Sequence, residues 1–335
     1  MPNAVFMGNP DKIKAVYAPA VTEALAKEAG LDASRVLSKE DVLAGAHTRD
    51  TEYIFSTWGM ATLSVDEIAE HFPCLKAVFY AAGTVQYFAR PFLARGVRVF
   101  SAWDANAVPV AEYTAAQIVL AGKGFYACAR AFHGDVAGRK KALAHFHAHR
   151  GNYGASVGIV GAGMIGKMVI ERLKAYNLRV KVYDPFLPEE KAKALGVEKT
   201  TLEDVFASCE VVSNHVANLP ATVGMMKGEH FASMKPYAVF LNTGRGAQIV
   251  EKEMTDVLAA RPDLTAVLDV TDPEPPLADS PLYTLENVFL TPHIAGSAGD
   301  EVTRMAEYML DAFRRTQKGE TVRDEVTLPM LETMA

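Results

Sequence analysis

Short apolar runs alternate with amphipathic segments through the first hundred residues of the chain. The apolar runs of strand length are AVFMG (4–8), EYIFST (52–57), KAVFYA (76–81) and VRVFSA (97–102). The segments with helical spacing between them are VTEALAKEAG (21–30), SVDEIAEHF (64–72) and VQYFARPFLARG (85–96). Each of these segments ends near a Gly or Pro, as helices often do. Strand and helix in repetition predict a parallel sheet with helices on both faces.

A second alternation of the same kind begins at residue 155. Its strand candidates are SVGIV (156–160), LRVKVY (178–183), EVVSNH (210–215), YAVFLN (237–242), LTAVLD (264–269) and NVFLT (287–291). Six strands in this order suit a dinucleotide-binding sheet. The chain therefore has the pattern of an α/β protein with two doubly wound parallel sheets, and its 335 residues agree with two domains.

Three further segments complete the pattern. Residues 108–132 are mostly apolar and predict a long helix with Pro109 in its first turn. Residues 137–154 are polar and basic, which marks a boundary or an exposed arm. Residues 299–317 predict a last helix before a short tail.

Composition and charge exclude several classes of protein. Half of the residues are hydrophobic and the formal net charge is -6, which fits a globular protein and disfavours nucleic acid or an anionic membrane as the main partner. The three cysteines, Cys74, Cys128 and Cys209, stand far apart, so we expect neither a disulfide framework nor a thiolate zinc site. The sequence shows neither a secretory leader nor an apolar run of membrane-spanning length, so we expect a cytoplasmic protein.

A histidine run in the basic arm raises the possibility of a metal site. His145, His147 and His149 have a spacing of two residues in a segment rich in Lys and Arg. Such a segment is more often solvated or in contact with another subunit, so we predict no bound metal.

The stretch GIVGAGMIGK carries three glycines in the spacing G-x-G-x-x-G, Gly161, Gly163 and Gly166. A predicted strand precedes them and a helical pattern follows, which is the context that a dinucleotide loop requires. Gly161 permits the tight turn and Gly163 lets the backbone approach a pyrophosphate. Gly166 lets the helix lie close to the strand.

Two further features of this unit predict how the dinucleotide is held. The backbone N–H groups of Met164 and Ile165 would point at the phosphates from the helix N-terminus. Asp184 ends the next predicted strand, 21 residues after Gly163 (184 − 163), and can accept hydrogen bonds from both adenosine ribose hydroxyls. The same carboxylate would repel a 2′-phosphate, so the sequence favours NAD over NADP.

Three charged side chains follow later strands of the second sheet, where ligands bind in such folds. They are Arg245, Glu274 and His293, although Asp272 lies near Glu274 and the residues alone do not decide between the two acids. The guanidinium binds a carboxylate and polarises the adjacent carbonyl, while His transfers a proton to or from the alcohol oxygen. An acid bonded to the second ring nitrogen holds the tautomer and raises the imidazole pKa. This set suits hydride transfer between NAD(H) and a 2-hydroxy or 2-keto acid.

Several stretches together resemble the D-isomer-specific 2-hydroxyacid dehydrogenase family. They are YAAGTVQYF (80–88), NAVPVAE (106–112), GIVGAGMIGK (158–167), HVANLPATVGMM (215–226), NTGRG (242–246), LDVTDPEP (268–275) and TPHIAG (291–296). The resemblance covers most of the chain and implies an NAD-dependent oxidoreductase that acts on a small D-2-hydroxy or 2-keto acid.

The resemblance assigns roles to individual positions. It implies the catalytic residues Arg245, Glu274 and His293. It implies further cofactor contacts, in addition to those of the glycine loop and Asp184, at Val216, Thr222, Thr243 and Asp269. It also implies that backbone N–H groups of Ala82, Gly83 and Thr84 bind the substrate carboxylate together with Arg245.

The resemblance implies an architecture as well. Residues 1–107 with 299–335 would form a flavodoxin-like substrate domain, and residues 108–298 a Rossmann domain that binds NAD. The family is usually dimeric, so we expect a homodimer through the helix and arm at 108–150.

Some positions leave alternatives open. Val85 stands where the family often has Asp, and Thr271 replaces a common Phe. The identity of the substrate, the 2-hydroxy or 2-keto acid, is therefore undecided. His215 has the pattern of a structural residue. Four side chains of the first domain suit the substrate pocket and the core about equally: Trp58, Met60, Tyr80 and Trp103. A non-catalytic NAD(H) sensor of the same fold, which binds protein partners, is the second hypothesis.

Overall fold

The computed structural model describes residues 3–46, 48–132 and 136–332. Contacts divide the chain into two compact units, residues 1–107 with 297–335 and residues 108–296. The second boundary lies at 296/297, whereas the sequence suggests 298/299.

The strands are short and mostly follow the apolar runs of the sequence. In chain order they are β1 (Ala4–Met7), β2 (Val36–Leu37), β3 (Tyr53–Ser56), β4 (Ala77–Tyr80), β5 (Arg98–Ser101), β6 (Ser156–Val160), β7 (Arg179–Tyr183), β8 (Glu198–Lys199), β9 (Val211–Asn214), β10 (Val239–Asn242), β11 (Thr265–Leu268), β12 (Val288–Leu290) and β13 (Glu325–Val326).

The helices lie between the strands. They are α1 (Pro10–Val16), α2 (Pro19–Ala29), α3 (Lys39–Leu43), α4 (Val65–His71), α5 (Ala89–Ala94), α6 (Trp103–Gly122), α7 (Phe125–Ala131), α8 (Val136–Ala148), α9 (Met164–Leu173), α10 (Glu189–Leu195), α11 (Leu202–Ser208), α12 (Gly228–Ser233), α13 (Glu251–Ala260) and α14 (Thr303–Gln317).

Within the described residues, the first unit holds a six-stranded sheet in the order β2-β1-β3-β4-β5-β13. The first five strands pair in parallel, and β13 pairs antiparallel with β5, with Glu325 opposite Phe100. The parallel order 2-1-3-4-5 is that of flavodoxin-like folds, as predicted. The two-residue strands β2 and β13 were not predicted, because so short a segment carries no hydrophobic periodicity.

The second unit holds a seven-stranded sheet in the order β8-β7-β6-β9-β10-β11-β12, and every pair in it is parallel. The prediction of a doubly wound dinucleotide-binding sheet is confirmed, with one more strand than the six expected. The extra strand, β8, consists of Glu198 and Lys199. It was not predicted because both side chains are polar. The strand order reverses between β6 and β9, and ligands bind beside the carboxyl ends of strands at such a switch point.

The helix predicted over 108–132 is two helices, and its start was misplaced. Helix α6 begins at Trp103, so Pro109 lies inside the helix and not in its first turn. Gly124 separates α6 from α7 because it adopts a left-handed conformation with φ 68°. The basic arm that follows contains helix α8, and the last helix, α14, begins after a short 3₁₀ turn at Gly299–Val302.

The core of the first unit is built around stacked aromatic rings. Phe79 on β4 stacks on Phe55 of β3 and on Phe100 of β5, with ring centroids 5.1 and 4.8 Å apart. Phe313 of α14 packs edge-on against Phe55 and Phe79 at 5.7 Å. The last helix therefore closes one face of the sheet that the first hundred residues form.

The core of the second unit has two layers, one on each face of its sheet. Ile159 packs in one cluster with Val169 and Leu173 of α9, while its neighbour Val160 packs in the other with Phe206. Successive residues of a strand point to opposite faces, so a strand buried on both sides reads as a continuous apolar run. Among the described helices, none combines the length and apolar character needed to cross a membrane.

We expect Phe79→Ala to destabilise the first unit strongly. Removing a ring that contacts the rings of Tyr53, Phe55, Phe100 and Phe313 leaves a cavity, and such substitutions cost about 3–5 kcal/mol. Thermal unfolding followed by near-UV circular dichroism would show the loss. Phe186→Ala is the matched control, because Phe186 is 86% exposed, and it should change the transition little. Equal melting temperatures for the two variants would contradict this account of the core.

Candidate active site

The glycine loop after β6 is packed against the residues that follow β9. Gly161 has φ +94°, and a Cβ placed there would lie 2.8 Å from the backbone nitrogen of Val216. At Gly166 a Cβ would lie 2.1 Å from the carbonyl oxygen of Gly161. Both approaches are to backbone atoms, so no larger residue fits. The tight turn and the close helix–strand contact that the sequence predicted are therefore present.

The middle glycine of the loop differs from the other two. A Cβ at Gly163 would meet no atom within 4 Å, so the backbone there borders open space. Gly163 is the N-cap of α9, and the first N–H groups of a helix, here of Met164 and Ile165, have no partner inside it. Open space beside a glycine at a helix N-terminus fits a pyrophosphate, so this unit has the shape that a dinucleotide requires.

Asp184 lies at the carboxyl end of β7 beside the glycine loop. Its Oδ2 accepts a hydrogen bond from the backbone N–H of Ala162 at 2.7 Å, and its Oδ1 accepts from that of Phe186 at 2.8 Å. The carboxylate thus fixes the loop in addition to any contact with a ribose. Each carboxylate oxygen has two lone pairs, so both can still accept a hydroxyl.

Two threonines predicted to contact the cofactor have partners within the protein. The Thr222 hydroxyl donates to the carbonyls of Ala217 and Leu219, at 2.7 and 3.0 Å, and accepts from the Leu219 N–H. The Thr222 hydroxyl therefore stabilises the turn in which Thr222 lies. Thr243, after β10, lies 3.0 Å from the hydroxyl of Thr114 on α6.

Arg245 lies in the turn after β10 and is half-buried. Its Nη1 donates to the carbonyl of Gly244 at 2.7 Å. Burial lowers the pKa of the guanidinium from its ordinary value, and the charge of Glu274 acts in the opposite direction. At Gly246 a Cβ would lie 2.0 Å from the carbonyl carbon of Thr271, so the turn lies directly on the segment that leads to Glu274.

Glu274 and His293 form a hydrogen-bonded pair. Glu274 Oε1 lies 2.8 Å from Nδ1 of His293, and both side chains are nearly half exposed. The structure therefore pairs His293 with Glu274, the acid that the resemblance indicates. With Nδ1 occupied, Nε2 is the ring nitrogen free to face a ligand.

The turn that carries His293 is held by one buried carboxylate, Asp269, which is 2% exposed. Asp269 Oδ1 accepts from the Thr291 hydroxyl at 2.6 Å and from the Ile294 N–H at 2.8 Å, and Oδ2 accepts from the Ala295 N–H at 2.9 Å. His293 has φ +57°, a conformation that costs free energy in a non-glycine residue. The hydrogen bonds of Asp269 to residues on both sides of His293 hold the His293 backbone in this conformation.

Three buried amides of this region were not foreseen from the sequence. Asn214 ends β9, Asn242 ends β10 and Gln248 lies in the turn after Arg245, and all three are 0% exposed. The signal available was an asparagine at the end of an apolar strand in VVSN and VFLN, which is costly to bury without partners.

The predicted carboxylate loop lies in the first unit, after β4. Ala82 is buried and its N–H donates to the carbonyl of Tyr80 at 2.9 Å, so this donor is already used. The Ser101 hydroxyl donates to the carbonyls of Ala82 and Gly83 and fixes the loop from β5. The prediction for the substrate carboxylate therefore rests on the N–H groups of Gly83 and Thr84.

The other residues of the first unit that had two interpretations lie in or beside its core. Met60 and Tyr80 are buried, while Trp58 and Trp103 are half-buried against the same cluster. Val85, where the family often has Asp, is 0% exposed, and its carbonyl accepts the first hydrogen bonds of the following turn.

In the second unit, the arm histidines do not form a metal site. Within residues 3–46, 48–132 and 136–332, no group of three or more His, Cys, Asp or Glu side chains could hold a metal ion. The three cysteines are free, with Cys74 exposed and Cys209 buried.

His215 follows β9, and its ring is held within the second unit. Its Nε2 lies 2.9 Å from the Ser213 hydroxyl, and its Nδ1 is buried without a hydrogen-bond partner among the described residues. Burial lowers the pKa of His215 to about 3, so the ring is neutral at physiological pH.

The fold and these side chains define a dinucleotide-binding α/β protein with an arginine, an acid and a histidine at the carboxyl edge of one sheet. Residues 125–295 match the family model described as D-isomer specific 2-hydroxyacid dehydrogenase, NAD binding domain. The chain is 31% identical over 238 residues to a D-3-phosphoglycerate dehydrogenase of Archaeoglobus fulgidus, which is 71% of this chain and 44% of that protein. It is 37% identical over 168 residues to a glyoxylate reductase of Korarchaeum cryptofilum, 50% of this chain and 51% of that protein.

Solved structures agree in fold over nearly the whole chain. The apo D-mandelate dehydrogenase of Rhodotorula graminis superimposes with a TM-score of 0.80 at 21% identity, covering 97% of each chain. The TT0316 protein of Thermus thermophilus gives a TM-score of 0.74 at 24% identity, covering 97% of this chain and 100% of that one.

The chain therefore belongs to the D-isomer specific 2-hydroxyacid dehydrogenase family, a family of oxidoreductases. The predicted family and the predicted cofactor, NAD, are confirmed. The matched region spans about half, or less than half, of the length of these two curated relatives.

We expect His215 to make the second unit sensitive to acid. Its pKa is about 3 in the folded protein, against an ordinary value of 6.5, so the unfolded chain binds an extra proton between these values. Stability from His215 is therefore complete above pH 6.5 and is lost as the pH falls toward 3. The loss is about 1.4 kcal/mol per pH unit, or about 2 kcal/mol between pH 7 and pH 5.

Urea unfolding of wild type and His215→Gln at both pH values measures this loss. The variant should lose less stability on acidification than wild type. His147→Gln, which alters an exposed histidine, should keep the wild-type dependence. The same pH dependence in all three proteins would show that His215 does not contribute.

Proposed function

We propose that this protein is an NAD-dependent dehydrogenase that transfers a hydride between nicotinamide and C2 of a small D-2-hydroxy acid or 2-keto acid. The observation that carries the proposal is the 2.8 Å pair of His293 and Glu274 near the half-buried guanidinium of Arg245, in the NAD-binding unit of this family. NAD, when bound, accepts or supplies the hydride. The side chains of this protein bind and orient the acid and move the proton.

His293 is proposed as the acid and base. Glu274 accepts from Nδ1 and fixes the orientation of the ring, which leaves Nε2 to face the substrate oxygen. In the direction of reduction, C2 gains the hydride and the carbonyl oxygen takes the proton from Nε2. In the direction of oxidation, Nε2 takes the hydroxyl proton back.

Arg245 is proposed to bind the substrate carboxylate. In the described part of the chain it forms no ion pair, so its charge is not neutralised by a bonded acid. A guanidinium can hold a carboxylate through two parallel hydrogen bonds and polarise the neighbouring carbonyl. The N–H groups of Gly83 and Thr84 in the first unit remain proposed donors for the same class of ligand.

The NAD site is proposed to include the glycine loop and the residues around it. Gly161, Gly163, Gly166, Met164 and Ile165 would hold the pyrophosphate. Asp184 would hold the adenosine ribose and disfavour NADP. Further contacts are proposed at Val216, Thr222, Thr243 and Asp269.

We expect NADH oxidation, followed at 340 nm, with at least one acid of a 2-keto acid panel that includes glyoxylate, hydroxypyruvate and phenylglyoxylate. His293→Ala should lower kcat by about 10²–10⁴-fold, because positioned acid–base catalysis contributes that much. Arg245→Lys should mainly raise KM for the acid, because Lys cannot form the paired hydrogen bonds. NADPH should be used less well than NADH.

Matched controls are His147→Ala and Arg179→Lys, which alter exposed residues of the same types and should leave turnover unchanged. If wild type binds NADH but turns over no acid, the dehydrogenase proposal fails and a sensor of NAD(H) takes its place. Full activity in His293→Ala would remove the assigned acid and base.

We also propose that the protein forms a homodimer through the helix and arm at 108–150. This segment and the residues just after it carry many exposed apolar side chains: Leu120, Phe125, Phe132, Val136, Leu143, Phe146 and Tyr153. A concentration of exposed apolar side chains favours burial against a partner.

We expect light scattering after gel filtration to give about twice the chain mass of 36.3 kDa. Phe132→Glu should shift the protein toward the monomer, because a carboxylate in an apolar interface loses its hydration. Phe186→Glu is the control, since Phe186 is exposed outside this segment. A wild-type protein that is a monomer would contradict the proposal.

A further inference from the structure

Asn214, Asn242 and Gln248 form a network of buried amides, linked through Asn214, at the carboxyl edge of the second sheet. The Nδ2 of Asn214 donates to Asn242 Oδ1 at 3.0 Å and to Gln248 Oε1 at 2.6 Å. Asn214 and Asn242 stand opposite each other at the ends of the paired strands β9 and β10. The network therefore joins the loop after β9 to the loop after β10.

The network satisfies both backbone groups of Arg245. The Arg245 N–H donates to Gln248 Oε1 at 3.2 Å, and its carbonyl accepts from Asn242 Nδ2 at 2.9 Å. Asn242 Oδ1 also accepts from the N–H of Gly244 at 3.0 Å. The backbone that carries the guanidinium is thus held on both sides by side chains with 0% exposure.

Two of the three amides, Asn214 and Gln248, satisfy both backbone groups of Val216. The Val216 N–H donates to Asn214 Oδ1 at 3.2 Å, and its carbonyl accepts from Gln248 Nε2 at 3.0 Å. Val216 is the residue whose nitrogen limits the space at Gly161 of the dinucleotide loop. One network therefore connects the glycine loop, through Val216, to the backbone of Arg245.

The arrangement admits one orientation of each amide, because turning any of the three would place an N–H group against another N–H group. A buried amide with all its hydrogen bonds adds little net stability to the fold, but the loss of one bonding partner destabilises the fold. Apolar side chains could fill the same volume without that risk. Hydrogen bonds are directional, so the network fixes the position of the two loops relative to each other more strictly than apolar packing would.

We propose that Asn214, Asn242 and Gln248 are positioning residues that hold Val216 and Arg245 in one frame. The frame fixes the guanidinium that binds the substrate carboxylate relative to the residue beside the dinucleotide loop. The part that concerns Arg245 rests on the proposed function, whereas the part that concerns Val216 rests only on dinucleotide binding. A displacement of about 1 Å between reacting groups can cost about 10²-fold in rate, so such a frame matters for hydride transfer.

Gln248→Met tests the frame. It keeps the shape of the side chain and removes the acceptor for the Arg245 N–H and the donor to the Val216 carbonyl. The matched control is Asn287→Leu, because Asn287 is 3% exposed and its Nδ2 donates to the carbonyls of Leu258, Arg261 and Leu264 in the same unit. Both variants remove a buried amide that ties loops together, and only one touches the network.

We expect three measurements at a temperature well below both melting temperatures to separate the variants. Gln248→Met should lower kcat/KM for the best acid of the panel by about tenfold or more, with both kcat and KM changed. It should also weaken NADH binding, measured by protein fluorescence without any acid present, by at least about threefold. Asn287→Leu should lose similar thermal stability and leave both quantities within about twofold of wild type.

Gln248→Glu keeps an oxygen acceptor, and burial favours its neutral acid form, whose O–H can donate to the Val216 carbonyl. It should recover most of what Gln248→Met loses, which also covers the case in which Gln248→Met folds poorly. Equal losses in Gln248→Glu and Gln248→Met, when both are folded, would overturn the proposal.

The proposal is also overturned if Gln248→Met and Asn287→Leu have the same NADH affinity and the same kcat/KM. Absence of turnover in wild type would be a failure of the proposed function and not of the frame. The NADH titrations would then decide alone, since a frame that includes Val216 must alter dinucleotide binding when it is broken.

Discussion

The loops at the carboxyl edge of the seven-stranded sheet depend on buried polar side chains that satisfy their backbone hydrogen-bonding groups. Parallel strands end at this edge together, and each following loop leaves the sheet with N–H and C=O groups that no ladder satisfies. Asp184 supplies an acceptor to the glycine loop, and Asp269 supplies acceptors to the His293 turn. The three amides supply both donors and acceptors to the backbone of Val216 and Arg245. Without these hydrogen bonds, the unpaired backbone groups would not favour one conformation of each loop.

This dependence explains why the proposed proton-transfer pair differs in burial from the residues that hold the surrounding turns. His293 and Glu274 are nearly half exposed, which a pair that exchanges protons with a ligand requires. Asp269 and Gln248 are almost completely buried, where a hydrogen bond is stronger and an unpaired group is costly. Reactive groups thus stand on turns that buried groups keep rigid, even at the strained backbone of His293.

Some residues that the sequence predicted only as ligand contacts also hold the backbone of the protein itself. Asp184 binds the backbone of its own loop, Thr222 shapes its own turn, and Ala82 uses its N–H within the first unit. Ligand contact remains compatible with the first two, because oxygen atoms can accept more than one hydrogen bond. The N–H of Ala82 is bonded to the Tyr80 carbonyl, so Gly83 and Thr84 are the stronger proposed donors for a carboxylate.

The sequence by itself determined the longer strands, the glycine loop, the family and NAD, because strong apolar runs and local motifs carry that information within a few residues. Arg245 and His293 could be named because each closely follows such a run, whereas Glu274 was preferred to Asp272 because of the resemblance to the family. Only the tertiary structure decided the two-residue strands, which have no periodicity, and the start of α6 before Pro109. It alone decided that Asn214 and Gln248 meet, 34 residues apart, because hydrogen bonds between loops depend on which strands are neighbours in the sheet.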